Sequence, residues 1–181
     1  AMSDSLGKLV SCGADCIIMP CNTAHFFLPR LQEQTSVPFL SMLEATAQTC
    51  RSRFPGKTAA VLATRGTLAA GLYQQVLDQA GVAYLIPGEE EQSALMRVIY
   101  EGVKADAPAE HYRADWEAVL AAMARRGEDY FILGCTELPL AAASLGATVP
   151  TIDPTEELAR AAIAFCGYAA KDRNAFEKGS L

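Results

Sequence analysis

Two stretches of the chain carry the same residues at the same spacing: Gly13, Asp15, Ile18 and Cys21 match Gly127, Asp129, Ile132 and Cys135, with Ile17 and Met19 answered by the apolar Phe131 and Leu133. In each copy a short apolar run, residues 16–19 and 130–133, reads as a strand with a cysteine at its C-terminal end and a threonine-bearing turn after it. Further on, Val37-Pro38 opens the apolar run 39–40, and Val149-Pro150 opens 151–152, each ahead of a helix start. A repeat of this kind restricts the fold to two halves built on one plan.

Between the copies the pattern alternates. A strand is expected over 58–63, a helix over 68–80 closed by Gly81, a strand over 82–86, and helices near 90–104 and 110–126. Strands alternating with helices imply a parallel sheet, hence an α/β fold of two pseudosymmetric lobes with flanking helices. A final helix is expected to start at Asp153, with Pro154 at its first position and Glu156 where a capping-box acid belongs. This reading assigns 1–52 plus 154–181 to a first lobe and 53–153 to a second. The second repeat is preceded by the strands and helices of 58–126, the first by residues 1–12 only, so the first lobe is expected to be incomplete and covered by something else, such as another subunit.

Composition narrows the function. With 181 residues, 51% of them hydrophobic and 20% charged, the chain can bury a core. A net charge of −6 without a basic stripe argues against a nucleic-acid partner and for a small molecule. Neither an apolar run long enough for a membrane span nor a basic-then-apolar leader is visible, so the cytosol is the expected compartment. There, six scattered cysteines read as thiols rather than disulfides.

Cys21 and Cys135 are expected where a strand hands over to a helix N-terminus, the place where open α/β sheets bind ligands. A helix N-terminus favours thiolate over thiol, and its free N–H groups, with Asn22, Thr23 and Thr136, suit a carboxylate. If the repeat reflects a pseudo-twofold relation, the cysteines face each other across a cleft. One can then take an α-proton from one face of a substrate while the other returns a proton to the opposite face. Donors around the substrate carboxylate would carry the developing enediolate charge. With no lysine in a recognisable Schiff-base context and no phosphate-cradling glycine loop, no pyridoxal phosphate is suggested, and no cofactor is expected.

On these residues the chain resembles the aspartate/glutamate racemase family. Pro20-Cys21-Asn22-Thr23-Ala24-His25 and Gly134-Cys135-Thr136-Glu137 are similar to its paired cysteine signatures, and Thr64 with Thr67 to a third motif. The run Val98-Ile99-Tyr100-Glu101-Gly102-Val103-Lys104 is similar to a segment that, in some members, brings a lysine to the substrate's side-chain carboxylate. Glu137 stands where glutamate racemases usually place histidine, which leans toward the aspartate branch. The resemblance implies a dimeric, cofactor-free racemase of an acidic amino acid, with Cys21 and Cys135 as the two bases. Asn22, Thr23, Thr64, Thr67 and Thr136 would hold the α-carboxylate and amine, Lys104 the distal carboxylate, and His25 and Glu137 would be auxiliary. The family's first strand with its glycine-rich turn, and a basic residue after it, have no counterpart here. A truncated, weakly active or inactive relative is therefore the alternative, and a related cysteine isomerase or decarboxylase a further one.

Plainer roles compete at each position. Both cysteines can be buried structural thiols, and His25 can pair with Cys21 as in a thiol hydrolase or simply pack. Cys12, Cys16, Cys21 and His25 lack the pairwise spacing of a zinc site, and no metal is expected. Lys104 can be a solvated helix end, Thr67 an N-cap and Glu137 a first-turn acid that suits the helix dipole.

Overall fold

The computed structural model describes residues 1–170. The part of the expected first lobe at 171–181 lies outside the described residues. In chain order the elements are α1 (Met2–Ser11), β1 (Ile17–Ile18), a 3₁₀ turn (Thr23–Phe27), α2 (Leu28–Gln32), β2 (Phe39–Leu40), α3 (Met42–Arg53), β3 (Thr58–Ala63), α4 (Arg65–Ala69) and α5 (Leu72–Ala80). There follow β4 (Ala83–Leu85), α6 (Glu89–Arg97), a π-helical turn (Val98–Val103), α7 (Ala109–Ala124), β5 (Tyr130–Gly134), α8 (Leu138–Leu145), β6 (Thr151–Ile152) and α9 (Pro154–Phe165).

The repeat is structural. After α1, Gly13 sits at φ +79° with its N–H on Val10 O at 3.0 Å; after α7, Gly127 sits at φ +81° with its N–H on Ala124 O at 3.1 Å. The left-handed conformation that stops each helix costs a side-chain-bearing residue about 1–2 kcal/mol, which is why glycine recurs. The strands then start alike, Ile17 N–H on Pro38 O and Phe131 N–H on Pro150 O, both at 2.9 Å. Proline has no N–H of its own to give, but its carbonyl opens each ladder.

All strand pairs are parallel. Among the described residues β1 pairs with β2 alone, Ile17 opposite Phe39, whereas β5 sits between β3 and β6 in a four-stranded sheet of order β4-β3-β5-β6. That sheet is covered on both faces, as parallel sheets require. Alternate residues of its central strands divide between two cores. Ala60, Leu62, Phe131 and Leu133 meet α6, α7 and α8 through Leu95, Trp116, Val119 and Leu138. Ala59, Val61, Tyr130 and Ile132 meet α3, α5 and α9 through Met42, Ala47, Leu77 and Leu158. Helices α3 and α9, which follow the smaller sheet's strand β2 and the larger sheet's β6, thus pack on the larger sheet. A minor cluster of Leu6, Ile17 and Leu31 holds α1, β1 and α2 together.

Three local expectations change. The helix expected over 68–80 is two helices, because Gly71 takes φ +66° and turns the chain between α4 and α5. The helix expected near 90–104 passes from α6 into the π-helical turn, where Gly102 lies against Tyr112, leaving no room for a side chain: a Cβ there would meet Tyr112 Cδ1 at 2.6 Å. Thr64, not Thr67, caps α4, its Oγ1 accepting from Thr67 N at 3.3 Å. Asp153 caps α9 as expected, accepting from Thr155 N at 2.8 Å. Glu156 pairs with Arg160 at 2.7 Å. The repeat's Asp129 turns out to be a clasp on the neighbouring strand: it accepts from Thr58 N at 2.7 Å and Lys57 Nζ at 2.9 Å.

Candidate active site

Parallel strands deliver their C-terminal ends to one edge of a sheet, so the residues after β3 and β5 lie side by side, and the turn after β1 of the smaller sheet meets them there. They line one cavity of about 340 Å³ bounded by Cys21, Asn22 and Thr23 from the first repeat and Gly134, Cys135, Thr136 and Glu137 from the second. Thr64 and Gly66 come from the β3–α4 turn, and Met96, Tyr100 and Lys104 from α6 and the π-helical turn. The two cysteines the repeat singled out therefore share one cavity. The apolar groove between α1 and β1, of about 270 Å³, carries no comparable set of polar side chains.

The surroundings of the two thiols differ. Cys21 is exposed. Cys135 is buried, 9% exposed, and its Sγ donates to Glu137 Oε2 at 2.8 Å. Burial, followed by the hydrogen bond to Glu137 and that carboxylate's charge, pushes the Cys135 thiol up to about 12. A helix N-terminus favours the thiolate, but at Cys135 desolvation and an adjacent anion outweigh the backbone donors. Glu137 answers in the opposite sense. Partial burial acts to raise its pKa, but hydrogen bonds from Cys135, its own N–H and Thr136, with the Lys104 charge, hold it below the ordinary carboxylate value.

Lys104 Nζ lies 3.6 Å from Glu137 Oε1 and 4.5 Å from the centre of the Tyr100 ring. Burial works against its charge, yet Glu137, Tyr100 and Cys135 together raise its pKa. A cation thus stands at the cavity wall, already oriented by a carboxylate and an aromatic face.

Thr23, Thr64 and Thr67 bring their hydroxyls together, with Oγ1 separations of 2.7 Å for Thr23 to Thr67, 2.9 Å for Thr64 to Thr67 and 3.2 Å for Thr23 to Thr64. Thr67 is fully buried and braces the other two from behind rather than lining the cavity. Asn22 is also buried, its Oδ1 accepting from Tyr73 OH at 2.6 Å. Thr136, on the opposite wall, bonds Glu137 at 3.1 Å.

His25 is held entirely by backbone. Its Nε2 accepts from Met42 N at 3.1 Å, so Nδ1 carries the proton and donates to Cys21 O at 2.9 Å. Burial lowers its pKa against the smaller opposing effects of Cys21 O and Glu44. The imidazole therefore anchors the Cys21 turn to the start of α3, with neither nitrogen left for the Cys21 thiol. Among the described residues no group of three or more His, Cys, Asp or Glu side chains is arranged to hold a metal ion. Nor is any described helix long and apolar enough to cross a membrane.

Sequence reasoning missed Tyr73, Tyr100 and Met96. Tyr100 is marked only by its place one turn before Lys104. Tyr73 and Met96 carry no motif, and only the packing of α5 and α6 brings them to the site.

The family model described as Asp/Glu/Hydantoin racemase matches residues 1–162. The broad specificity amino-acid racemase RacX of Bacillus subtilis (strain 168) is 31% identical over 163 residues, covering 90% of this chain and 70% of that protein. The glutamate racemase of Deinococcus radiodurans is 31% identical over 165 residues, covering 86% and 54% respectively; the chain spans about half the length of the glutamate racemases it matches. Among solved structures, an aspartate racemase of Picrophilus torridus superimposes with a TM-score of 0.79 at 30% identity, covering 94% of this chain and 70% of that one. An aspartate racemase homologue from Pyrococcus horikoshii OT3 gives 0.78 at 27%, covering 91% and 72%. With the α/β fold, the paired cysteine turns and a match across residues 1–162, this chain belongs to the Asp/Glu/hydantoin racemase family.

Proposed function

We propose that this chain is a cofactor-independent amino-acid racemase acting on an acidic amino acid, aspartate before glutamate, with Cys21 and Cys135 as its two bases. The observation that carries the reading is that both cysteine turns open on one cavity, with a lysine on its wall. Cys21 as thiolate takes the α-proton: the C–H bond breaks, an S–H bond forms, and the electron pair passes to the substrate carboxylate as an enediolate. Cys135, a thiol in the resting site, gives its proton to the opposite face, and Lys104 offsets the charge then shared by Cys135 and Glu137. For the other enantiomer the roles reverse, starting from the state the first turnover leaves, with Cys21 protonated and Cys135 as thiolate beside Lys104. Thr23, Thr64, Thr136 and the backbone amides after each cysteine hold the α-carboxylate and amine, Asn22 and Thr67 brace them, and Lys104 receives the distal carboxylate. A homodimer in the cytosol is the assembly and location this reading carries.

The test is α-proton exchange and racemisation of L- and D-aspartate in D2O, followed by NMR and chiral chromatography, in the wild type and in Cys21→Ala and Cys135→Ser. Racemisation lost in both variants, with slow one-sided exchange of one enantiomer surviving in each, supports the two-base mechanism. Full racemisation by either variant sinks it. No exchange with any acidic amino acid in the wild type would leave a folded family member that does not catalyse, and maleate or a substituted malonate would then be the next substrates to try.

A further inference from the structure

Tyr73 touches both cysteine turns from behind the cavity wall, without lining the cavity. It projects from α5, fully buried, with its hydroxyl on Asn22 Oδ1 at 2.6 Å, and Asn22 directly follows Cys21. The edge of its ring packs against Gly134, the residue directly before Cys135: a Cβ on Gly134 would meet Tyr73 Cε2 at 2.8 Å, Ala63 Cβ at 3.0 Å and Leu62 O at 3.2 Å. Glycine is therefore required for this close approach, although β5 is otherwise apolar with side chains on both faces. One rigid phenol thus spans from the first repeat's turn to the second's. Burial keeps the phenol protonated, so it is the donor to Asn22, itself only 3% exposed.

We infer that Tyr73 is a positioning residue that sets the separation of Cys21 and Cys135, through Asn22 on one side and Gly134 on the other. The inference rests on the two-base reading above and adds a residue to it. Its chemical consequence is specific. Exchange with retention needs one cysteine: a thiolate takes the α-proton, the S–H exchanges with D2O, and a deuteron returns to the same face. Inversion needs both cysteines within reach of one carbon. A displacement of one turn by a fraction of an ångström to about 1 Å therefore falls on inversion, where misplacement of that size can cost about 100-fold.

The experiment is Tyr73→Phe, which keeps the ring against Gly134 and removes only the hydroxyl. L-aspartate in D2O is followed for two products, deuterated L-aspartate and deuterated D-aspartate. The expected result is a fall in inversion of about 10- to 100-fold, carried in kcat with KM within about threefold, while exchange with retention stays within about threefold. Inversion and exchange falling together, or both unchanged, would overturn the inference. A second measurement is independent of activity: the Cys21 Sγ to Cys135 Sγ separation in crystal structures of the wild type and of Tyr73→Phe. A separation changed by a fraction of an ångström to about 1 Å supports the role; the same separation in both proteins overturns it. Should the wild type exchange no amino acid, the racemase reading fails while the sulfur separation still decides whether Tyr73 sets the spacing.

Discussion

Cys135 and Glu137 form a thiol–carboxylate pair across a single turn, with Sγ donating to Oε2 at 2.8 Å. The carboxylate stabilises the protonated sulfur and disfavours its thiolate, while the sulfur's proton stabilises the carboxylate, so the two pKa values are driven apart. At neutral pH this half of the site is thiol beside carboxylate, an arrangement in which Cys135 is ready to give a proton.

Glu137→Gln removes the anion but keeps the shape. The Cys135 thiol should become more acidic, and iodoacetamide labelling of Cys135 at pH 8 should speed up by about tenfold for each unit its pKa falls. Peptide mapping by mass spectrometry measures the rate; a rate equal to that of the wild type would mean that burial alone holds the proton.

Lys104→Met removes the only cation that the described residues place on the cavity wall. A charged hydrogen bond to a substrate carboxylate is worth about 1.5–3 kcal/mol, so KM for aspartate should rise by about 10- to 100-fold. Turnover of alanine, which has no distal carboxylate, should change far less. A similar loss for both amino acids would place Lys104 in the maintenance of Glu137 rather than in substrate selection.

Gly102→Ala places a methyl against Tyr112 within the π-helical turn. Overpacking of this kind costs about 1–3 kcal/mol, so the melting temperature should fall. Because Lys104 follows this turn directly, KM for aspartate should rise with it. An unchanged melting temperature would show that Tyr112 yields without cost.

The His25 contribution to stability depends on pH in a definite direction. Nε2 must be unprotonated to accept from Met42 N, and the folded pKa lies below the ordinary value near 6.5. The stabilisation is therefore present above that value and lost as pH falls through the folded pKa. The charged or titratable group facing it is Glu44, whose effect opposes the burial. Replacing His25 by Leu strands a buried N–H and should cost about 1–3 kcal/mol at pH 7.5. In thermal melts the gap between the two proteins should narrow between pH 7.5 and 5; a constant gap would contradict the neutral-imidazole anchor.

Much of the plan is legible in the chain because it depends on local rules. Gly13 and Gly127 recur where a helix must stop in a left-handed conformation, and Pro38 and Pro150 recur where a carbonyl opens the next ladder. Apolar runs at β3 and β5 announce strands buried on both faces, and Cys21 and Cys135 follow from their place at strand ends. Local rules also mislead where two choices lie close in energy. Thr64 and Thr67 are both good caps, and only the path of β3 into α4 selects Thr64. Residues 90–104 read as one regular helix, but the contact of Gly102 with Tyr112 accompanies a wider turn.

By itself, then, the sequence determined the α/β class, the twofold repeat and the two cysteine turns, since each follows from periodicity, turn chemistry and the spacing of residues along the chain. The tertiary structure alone decided that the turns share a cavity, that Cys135 keeps its proton while Cys21 is exposed, that His25 is an anchor, and that Tyr73 reaches both turns. Those outcomes depend on burial and on contacts between residues 51 or more positions apart in the case of Tyr73, and desolvation has no signature in a linear pattern.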